Sequence, residues 1–243
     1  MPTFIDIIAG VAQQQVSGGG GAFDPLSYGS PVHAFWAEDP SWTDPGDGNI
    51  VTSWRNDGSN GTAVTPGASG PVYRSSTTKM NSKATVEFDG VNDYLAMAEA
   101  AATVSQAGTM VVVFNFDSIG AGDNVVSGRD ATARWMIDAA STTSLRIYAG
   151  TVLGSTTIAA GTTYVAVAKF DGASSNLRIN GSSVLSGNAG TWALEGLMLA
   201  ANTTPNNDYM DGHIGYVAVF GSDITGESWF SEYEDGLATH YGA

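Results

Sequence analysis

The segment "KATVEFDGVNDYLAM" (residues 83–97) joins a short strand to a tight acidic turn. Ala84, Val86 and Phe88 alternate with polar residues, and this period of two predicts a strand with one apolar face. The Asp-Gly and Asn-Asp pairs that follow are turn-forming sequences. The segment therefore favours a β protein in which short strands are joined by tight turns.

The length and composition agree with a single β domain. The 243 residues suffice for one large domain or two small ones, and no internal repeat divides the chain. Gly reaches 31 while Lys and Arg together total 9, a balance that indicates many turns and little helix. The chain has no cysteine, which excludes disulfides, iron–sulfur clusters and thiolate zinc sites.

The charge of the chain limits its partners. A formal net charge of −15, with no basic cluster to offset it, argues against nucleic acid and anionic membrane as partners. No stretch approaches the ~20 apolar residues of a membrane-spanning helix. Residues 1–10 lack both a basic region and a long apolar core, so we expect no signal peptide and synthesis in the cytoplasm.

Further strands follow the same pattern along the chain. The run "GTMVVVFNF" (residues 108–116) is apolar almost throughout, as a strand buried on both faces is. In "NLRINGSSVL" (residues 176–185), Asn180-Gly181 supplies the two positive-φ residues of a type I′ hairpin turn. About ten to twelve short strands separated by Gly, Asn and Asp turns predict an all-β sandwich or jelly roll.

The C-terminus changes from strand to helix periodicity. Trp229, Tyr233 and Leu237 step by four residues, which predicts an amphipathic helix packed on the sandwich. Thr225 is the expected N-cap of this helix. The sandwich with its closing helix is predicted to span residues 31–243.

The N-terminus predicts a second helix, over residues 1–16, followed by a Gly-rich tether over residues 17–30. The apolar side chains of this helix follow helical spacing, and they are Phe4, Ile7, Ile8 and Val11. A helix this short is not stable alone in water, so its apolar face must dock somewhere. It either folds back on its own domain or anchors the chain in a partner protein, and the tether favours the anchor.

Four segments resemble the concanavalin A-like lectin/laminin G-like jelly-roll superfamily, in the family's order. They are "VTSWRNDGSNGT" (51–62), residues 83–97, "YVAVAKFDGASSNLRINGSSV" (164–184) and "YMDGHIGYVAVFGSDITGESWFSEYEDGLATHYG" (209–242). The resemblance implies an all-β, concanavalin A-like jelly-roll β-sandwich with a short N-terminal helix and a C-terminal helix. The arrangement of an N-terminal helix and tether before such a sandwich is similar to that of minor tail or decoration proteins of tailed bacteriophages. In those proteins the module is carried outward from the virion and is thought to contact host-surface glycans.

Two kinds of site are consistent with these residues. Asp89, Asn92 and Asp93 offer three side-chain oxygens in one turn, and Asp211 joins them if two turns meet at one edge of the sandwich. Ca²⁺ binds such oxygens, but the same side chains commonly close a turn through their own backbone, and both interpretations stay open. No cofactor is required. For a sugar, which stacks on exposed aromatic rings, Trp42 and Tyr209 are the candidates.

The sequence argues against catalysis. Glycosidases of this fold place carboxylates on one strand in an E-x-D-x-E pattern, which the chain lacks. Its nearest pair, Glu232 and Glu234, lies in the predicted C-terminal helix, and no G-x-S-x-G motif is present. We therefore predict a protein that is not an enzyme.

The leading hypothesis is a structural protein on the exterior of a virion tail or capsid. Its N-terminal helix would bind other virion proteins, particle symmetry would make it a homo-oligomer, and its sandwich would contact a cell-surface glycan. The first alternative is a soluble carbohydrate-binding module whose helix covers its own sandwich. The second is a glycan hydrolase or lyase with unfamiliar catalytic residues.

Overall fold

The computed structural model describes four stretches of the chain: residues 23–67, 69–97, 103–203 and 208–243. The predicted helix over residues 1–16 lies outside the described residues, and so do its anchoring side chains Phe4, Ile7, Ile8 and Val11. In chain order the described strands are β1 (His33–Trp36), β2 (Thr65–Pro66), β3 (Val72–Thr77), β4 (Lys83–Asp89), β5 (Leu95–Ala96), β6 (Thr103–Val104), β7 (Gly108–Ser118), β8 (Asn124–Ser127), β9 (Met136–Ser141), β10 (Ser144–Tyr148), β11 (Val152–Thr157), β12 (Thr163–Phe170), β13 (Ser175–Ile179), β14 (Ser182–Gly187), β15 (Leu194–Glu195), β16 (Met198–Leu199) and β17 (Asp211–Phe220). One α-helix, α1 (Phe230–Tyr241), and short 3₁₀ turns at Pro25–Ser27, Thr78–Met80 and Gly172–Ser174 complete the described elements.

Two large antiparallel sheets form the sandwich. The back sheet has eight strands in the order β14-β13-β12-β7-β17-β4-β3, with β1 also paired to β17. The front sheet has seven strands in the order β11-β10-β9-β8-β16-β5-β2, and β15 pairs with β6 in a separate small sheet. Strands distant in sequence, such as β7 and β17, are neighbours, as in a jelly roll. The prediction of an all-β jelly-roll β-sandwich with a C-terminal helix is confirmed.

The main core lies between the two sheets, and β7 shows how the sequence builds it. Met110, Val112 and Phe114 point into that core, whereas Val111 and Val113 point to the opposite side of the back sheet. Both faces of the strand are buried, as its continuous apolar run predicts. The Asn180-Gly181 hairpin between β13 and β14 is also confirmed, with φ angles of 46° and 80°.

Helix α1 covers the outer face of the back sheet. Tyr233, Leu237 and Tyr241 form its buried side, and the Tyr241 hydroxyl donates a hydrogen bond to the Gly215 carbonyl at 2.9 Å. The helix begins at Phe230, so the prediction of Thr225 as N-cap is wrong. Thr225 instead donates its hydroxyl to Asp223, in a turn that precedes the helix.

The described part of the predicted tether, residues 23–30, packs on α1 rather than linking freely. The Tyr28 ring lies 5.5 Å from that of Tyr233, and the Phe23 ring lies 5.6 Å from that of His240. Asp24 accepts a hydrogen bond from the Leu26 amide and so closes the first turn. The packed domain therefore extends back to Phe23 instead of starting at residue 31. No helix among the described residues is long and apolar enough to cross a membrane.

Candidate functional site

The acidic turn lies at one end of the back sheet, beside a small cavity. Asp89 at the end of β4 and Asp211 at the start of β17 are cross-strand partners, so the two predicted turns do meet at one edge. Together with Asp93 they line a cavity of about 220 Å³, whose other walls include Arg74 and Glu87. The structure thus brings together three of the four predicted metal ligands.

Asp89 has a clear structural role in this turn. Its Oδ1 accepts backbone hydrogen bonds from Val91, Asn92 and Asp93 at 2.8, 3.2 and 3.3 Å. Gly90 has a φ of +69°, which lets the chain reverse without a side-chain clash. Asn92 joins the turn through its main chain, and its own side chain is exposed. The turn interpretation of the sequence therefore describes what Asp89 does in the structure.

Asp93 is the most buried carboxyl of this cavity, with 5% of its surface exposed. Burial raises its pKa and the charge of Asp89 raises it further, while a hydrogen bond from Ser69 acts in the opposite direction. Three carboxyl groups here offer oxygen ligands of the kind that Ca²⁺ takes. The cavity also contains the Arg74 guanidinium, which pairs with Glu87. Calcium at this cavity stays a prediction.

Trp42 does not offer a platform for a sugar, so the expectation that it is exposed is wrong. Only 8% of its surface is exposed, and its ring belongs to the main core. It packs on Trp54 and Tyr73 at centroid distances of 5.8 and 5.5 Å, and its Nε1 donates to the Ser53 carbonyl at 3.1 Å. The polar residues around it in sequence form the surface of a loop whose tryptophan turns inward.

The outer surface of the front sheet is defined by a row of cross-strand neighbours, which we call the front face: Tyr148, Met136, Ser127, Met198 and Ala96. Chain neighbours such as Ile137 and Leu199 point into the main core, so this row points away from it. The front face is therefore a second surface on which side chains from loops can pack.

Tyr209 lies over the front face, where it pairs with Tyr94. The two rings stack with centroids 6.4 Å apart and an interplanar angle of 30°, and both are half-buried. Beneath them lie Ala96, Met198 and Ala201. The predicted platform residue Tyr209 is thus part of an aromatic pair held in place by apolar side chains.

A polar network adjoins this aromatic pair. Arg134 Nη1 donates to Asn202 Oδ1 at 2.6 Å and to Thr203 Oγ1 at 3.1 Å. Asn202 Nδ2 in turn donates to Asp208 Oδ2 at 3.1 Å, and Asp208 directly precedes Tyr209 in the chain. Arg134 Nε has no hydrogen-bond partner among the described residues. Donors and acceptors thus stand beside two aromatic rings.

Several charged groups near the front-face network are buried or paired. Asp138 is almost fully buried and forms an ion pair with Arg146, whose Nη2 lies 2.8 Å from its Oδ2. Burial raises the pKa of Asp123, a hydrogen bond from the Gly120 amide opposes this, and the charge of Asp208 raises it again. The guanidinium of Arg134 lies over the Tyr148 ring, 5.4 Å from its centroid. The Tyr148 ring thus supports the Arg134 side chain of the polar network.

The sequence did not reveal several of these residues. Tyr94 lies within the acidic-turn segment (residues 83–97), where the Asp and Asn side chains give the stronger sequence signal. Arg134 is 68 residues from Asn202 in sequence, and the fold brings it to Asn202 and its near neighbour Asp208. A usable signal was the tyrosine that follows an aspartate in both "NDYLA" (92–96) and "NDYMD" (207–211).

Comparisons with solved structures show that other proteins share this sandwich fold. No family model matches the chain, and no curated protein matches it. A Geobacillus stearothermophilus structure, domain 4 of the extracellular GH43 arabinanase AbnA in complex with arabinotriose, is 14% identical with a TM-score of 0.57. That match covers 86% of this chain and 98% of the other.

Two larger proteins share the fold in part. Trypanosoma rangeli sialidase in complex with sialic acid is 11% identical with a TM-score of 0.55, over 89% of this chain and 35% of the sialidase. The binding domain of botulinum neurotoxin serotype D/C is 6% identical with a TM-score of 0.58, over 88% of this chain and 53% of that domain. The chain thus spans about a third of the sialidase. At these identities the comparisons show the fold alone.

Proposed function

We propose that this protein is a glycan-recognition module that is not an enzyme, and that it binds sugar at the Tyr94–Tyr209 pair on the front face. One observation carries the proposal: two stacked, partly exposed tyrosines lie beside an Arg134–Asn202–Asp208 network. Pyranose rings present a C–H face to aromatic rings and hydroxyls at their edges, so a sugar site needs both features. Structural neighbours in complex with arabinotriose and sialic acid support this class of ligand.

A neutral glycan fits this surface better than an acidic one. The chain carries a net charge of −15, and Asp123 and Asp208 lie near the aromatic pair. The one guanidinium of the network, Arg134, already donates to Asn202 and Thr203. An anionic sugar would therefore meet negative potential, and only the buried Nε of Arg134 is left without a partner among the described residues to offset it. Hydroxyl recognition by Asn202 and Asp208 needs no such charge.

The carboxyl pair Asp39 and Asp57 does not suit hydrolysis. Burial opposes the shift, but hydrogen bonds from Ser41 outweigh it and lower the pKa of Asp39, while burial raises the pKa of Asp57 to about 6. Yet the two side chains are only 4% and 9% exposed. Ser41 donates to Asp39 and Arg55 pairs with Asp57, which leaves no room for a glycosidic bond between the two carboxyl groups. A sugar at the front face would meet tyrosine rings and the Arg134 network. These contacts support recognition without catalysis.

The setting we propose is the exterior of a bacteriophage virion, as a minor tail or decoration protein. Its support is the sequence of the N-terminal segment, where Phe4, Ile7, Ile8 and Val11 have helical spacing before a run of glycines. Such a face suits anchoring in other virion proteins, and the symmetry of a particle would make the protein a homo-oligomer. Deletion of residues 1–21 should abolish assembly and leave glycan binding intact. Normal assembly of the shortened protein would refute the anchor.

Glycan-array binding of the full chain tests the ligand class, with titration of any glycan that is bound. Tyr209→Ala and Tyr94→Ala should each weaken binding roughly 10-fold or more, because an aromatic anchor carries much of the energy of such a site. Tyr209→Phe is the matched control, since it keeps the ring and should stay close to the wild type. Wild-type affinity in both alanine variants, with their fold intact, would exclude the front face as the site.

A further inference from the structure

A second polar cluster lies on the outer face of the back sheet, away from the front face. Glu87 on β4 and His213 on β17 are cross-strand partners, and Asn115 on β7 is the partner of His213 on its other side. The chain neighbours Val86 and Ile214 point into the main core, so Glu87 and His213 point outward. Neither the acidic-turn prediction nor the glycan proposal uses His213.

Three potential ligand atoms converge in this cluster. His213 Nε2 lies 3.6 Å from Asp117 Oδ2 and 3.9 Å from Glu87 Oε1. Ligand atoms of all three residues lie within 4.8 Å of one another. His213 is only 2% exposed, and its Nε2 has no hydrogen-bond partner among the described residues. A buried, unpartnered nitrogen that faces two carboxylates is unfavourable, because its hydrogen-bonding capacity is left unsatisfied.

The other side of the ring is fixed. His213 Nδ1 lies 3.1 Å from Thr85 Oγ1, a hydrogen bond that holds the imidazole in the plane of the cluster. Burial lowers the pKa of His213, although the charges of Asp117 and Glu87 act in the opposite direction. In its neutral form an imidazole has a lone pair on one nitrogen. With a Thr85-bonded Nδ1–H, that lone pair lies on Nε2, as metal binding needs.

We propose that Glu87, Asp117 and His213 bind a divalent transition-metal ion, with Zn²⁺ as the best fit. Zinc bonds of about 2.0–2.2 Å in a tetrahedral arrangement hold two ligand atoms roughly 3.3–3.6 Å apart. The two His213 distances of 3.6 and 3.9 Å need only a small contraction to reach this separation. The side chains of Glu87 and Asp117 are 28% and 23% exposed, so a fourth position for solvent lies on the outer side.

The existing ion pairs leave one carboxylate oxygen each of Glu87 and Asp117 free to bind a metal. Glu87 pairs with Arg74 through Oε2, while its Oε1 is the oxygen that faces His213. Asp117 pairs with Lys79 through Oδ2, and its Oδ1 has no hydrogen-bond partner among the described residues. Lys79 thus competes with a metal for Asp117. The histidine nitrogen gives this site a different metal preference from that of the acidic cavity, which Glu87 also lines, because Ca²⁺ takes oxygen ligands.

The test is a titration of the full chain with Zn²⁺ against a chromophoric chelator, with Co²⁺ absorption as a second readout of coordination. We expect one site of micromolar or tighter affinity. His213→Gln should weaken it roughly 100-fold or more through the loss of one of three ligands. His240→Gln is the matched control and should leave the affinity unchanged, because His240 contacts only Glu38 among the described acids.

Two further variants keep the proposal testable if His213→Gln does not fold. Asp117→Asn should weaken Zn²⁺ binding, and Lys79→Met should strengthen it several-fold by removing the competing cation. The proposal is overturned if the wild type does not bind Zn²⁺ below about 100 µM. It is also overturned if folded His213→Gln binds as the wild type does, or if millimolar Ca²⁺ displaces the bound Zn²⁺. Loss of glycan binding in Tyr209→Ala has no bearing on any of these results.

Discussion

The contact between Gly215 and Tyr241 gives a sharp test of how α1 is seated on the back sheet. A Cβ added at Gly215 would lie 2.4 Å from Tyr241 Cε1 and 2.8 Å from its Cζ. Carbon atoms in contact are about 3.5–4.0 Å apart, so the overlap in Gly215→Ala is roughly 1 Å or more. The ring cannot rotate away easily, because Tyr241 is fully buried and its hydroxyl is bonded to the Gly215 carbonyl.

Either α1 or β17 must therefore shift in Gly215→Ala. Overpacking of this kind costs about 1–3 kcal/mol, and the fixed ring places our expectation at about 2–3 kcal/mol. In a domain of this size that loss lowers the melting temperature by about 5–10 °C. Urea unfolding followed by circular dichroism should show a lower midpoint with an unchanged slope.

Gly226→Ala is the matched control, because no atom lies within 4 Å of a Cβ at that position. Its free energy of unfolding should be equal to that of the wild type or slightly higher, since alanine restricts the unfolded chain. A second check is Gly215→Ala combined with Tyr241→Leu, in which the penalty of the alanine should largely disappear. If Gly215→Ala unfolds within about 0.5 kcal/mol of the wild type, the described seating of α1 is wrong.

Two other predictions concern buried charge. Burial and the neighbouring Asp39 raise the pKa of Asp57 to about 6, while Arg55 opposes the shift. The protonated form therefore contributes stability that is complete below about pH 4 and lost as the pH rises through about 6. Asp57→Asn should remove this fall and stabilise the protein at pH 7 by about 1–2 kcal/mol, whereas an unchanged pH profile of the unfolding free energy would show that Asp57 is not the group that titrates. Arg178→Met should cost about 3 kcal/mol, because it leaves the Glu234 carboxylate, only 3% exposed, without its guanidinium partner. Arg178→Met with Glu234→Leu should recover most of that loss, and equal destabilisation of single and double variants would rule out an unpaired charge as the cause.

The elements that the sequence predicted well are those whose signal is local. The two-sided apolar run of β7 and the Asn180-Gly181 turn each contain their own physical cause, so they are read from a few adjacent residues. The start of α1 is less well determined, because Thr225 and Asp223 satisfy each other in a turn before the helix begins. Local patterns thus fix the kind of element more reliably than its ends.

The candidate sites depend on contacts that no local pattern contains. Trp42 lies among polar residues, yet its ring fills a gap beside Trp54 that only the packed sandwich creates. The sequence predicts Tyr209 as a sugar-stacking residue because it follows a polar loop, but its partner Tyr94 is more than a hundred residues away in the chain. His213 meets Glu87 and Asp117 through strand pairing alone. Once the strand order is known, the i, i+2 alternation of Asp211 and His213 places both on the outer face.

The short segment from Asp208 to His213 connects the two proposed sites, which raises the question of whether they act together. Extended chain covers about 3.3 Å per residue, so Tyr209 and His213 are separated by roughly 13 Å. Between them Met210 is held on both sides: its amide donates to the Ala200 carbonyl, and its carbonyl accepts from the Gly90 amide. A metal at His213 would have to break these bonds to move Tyr209. Because both bonds belong to a fully buried residue, we expect glycan affinity to be the same with and without Zn²⁺, and a large change in that affinity would show that Met210 does not isolate the two faces.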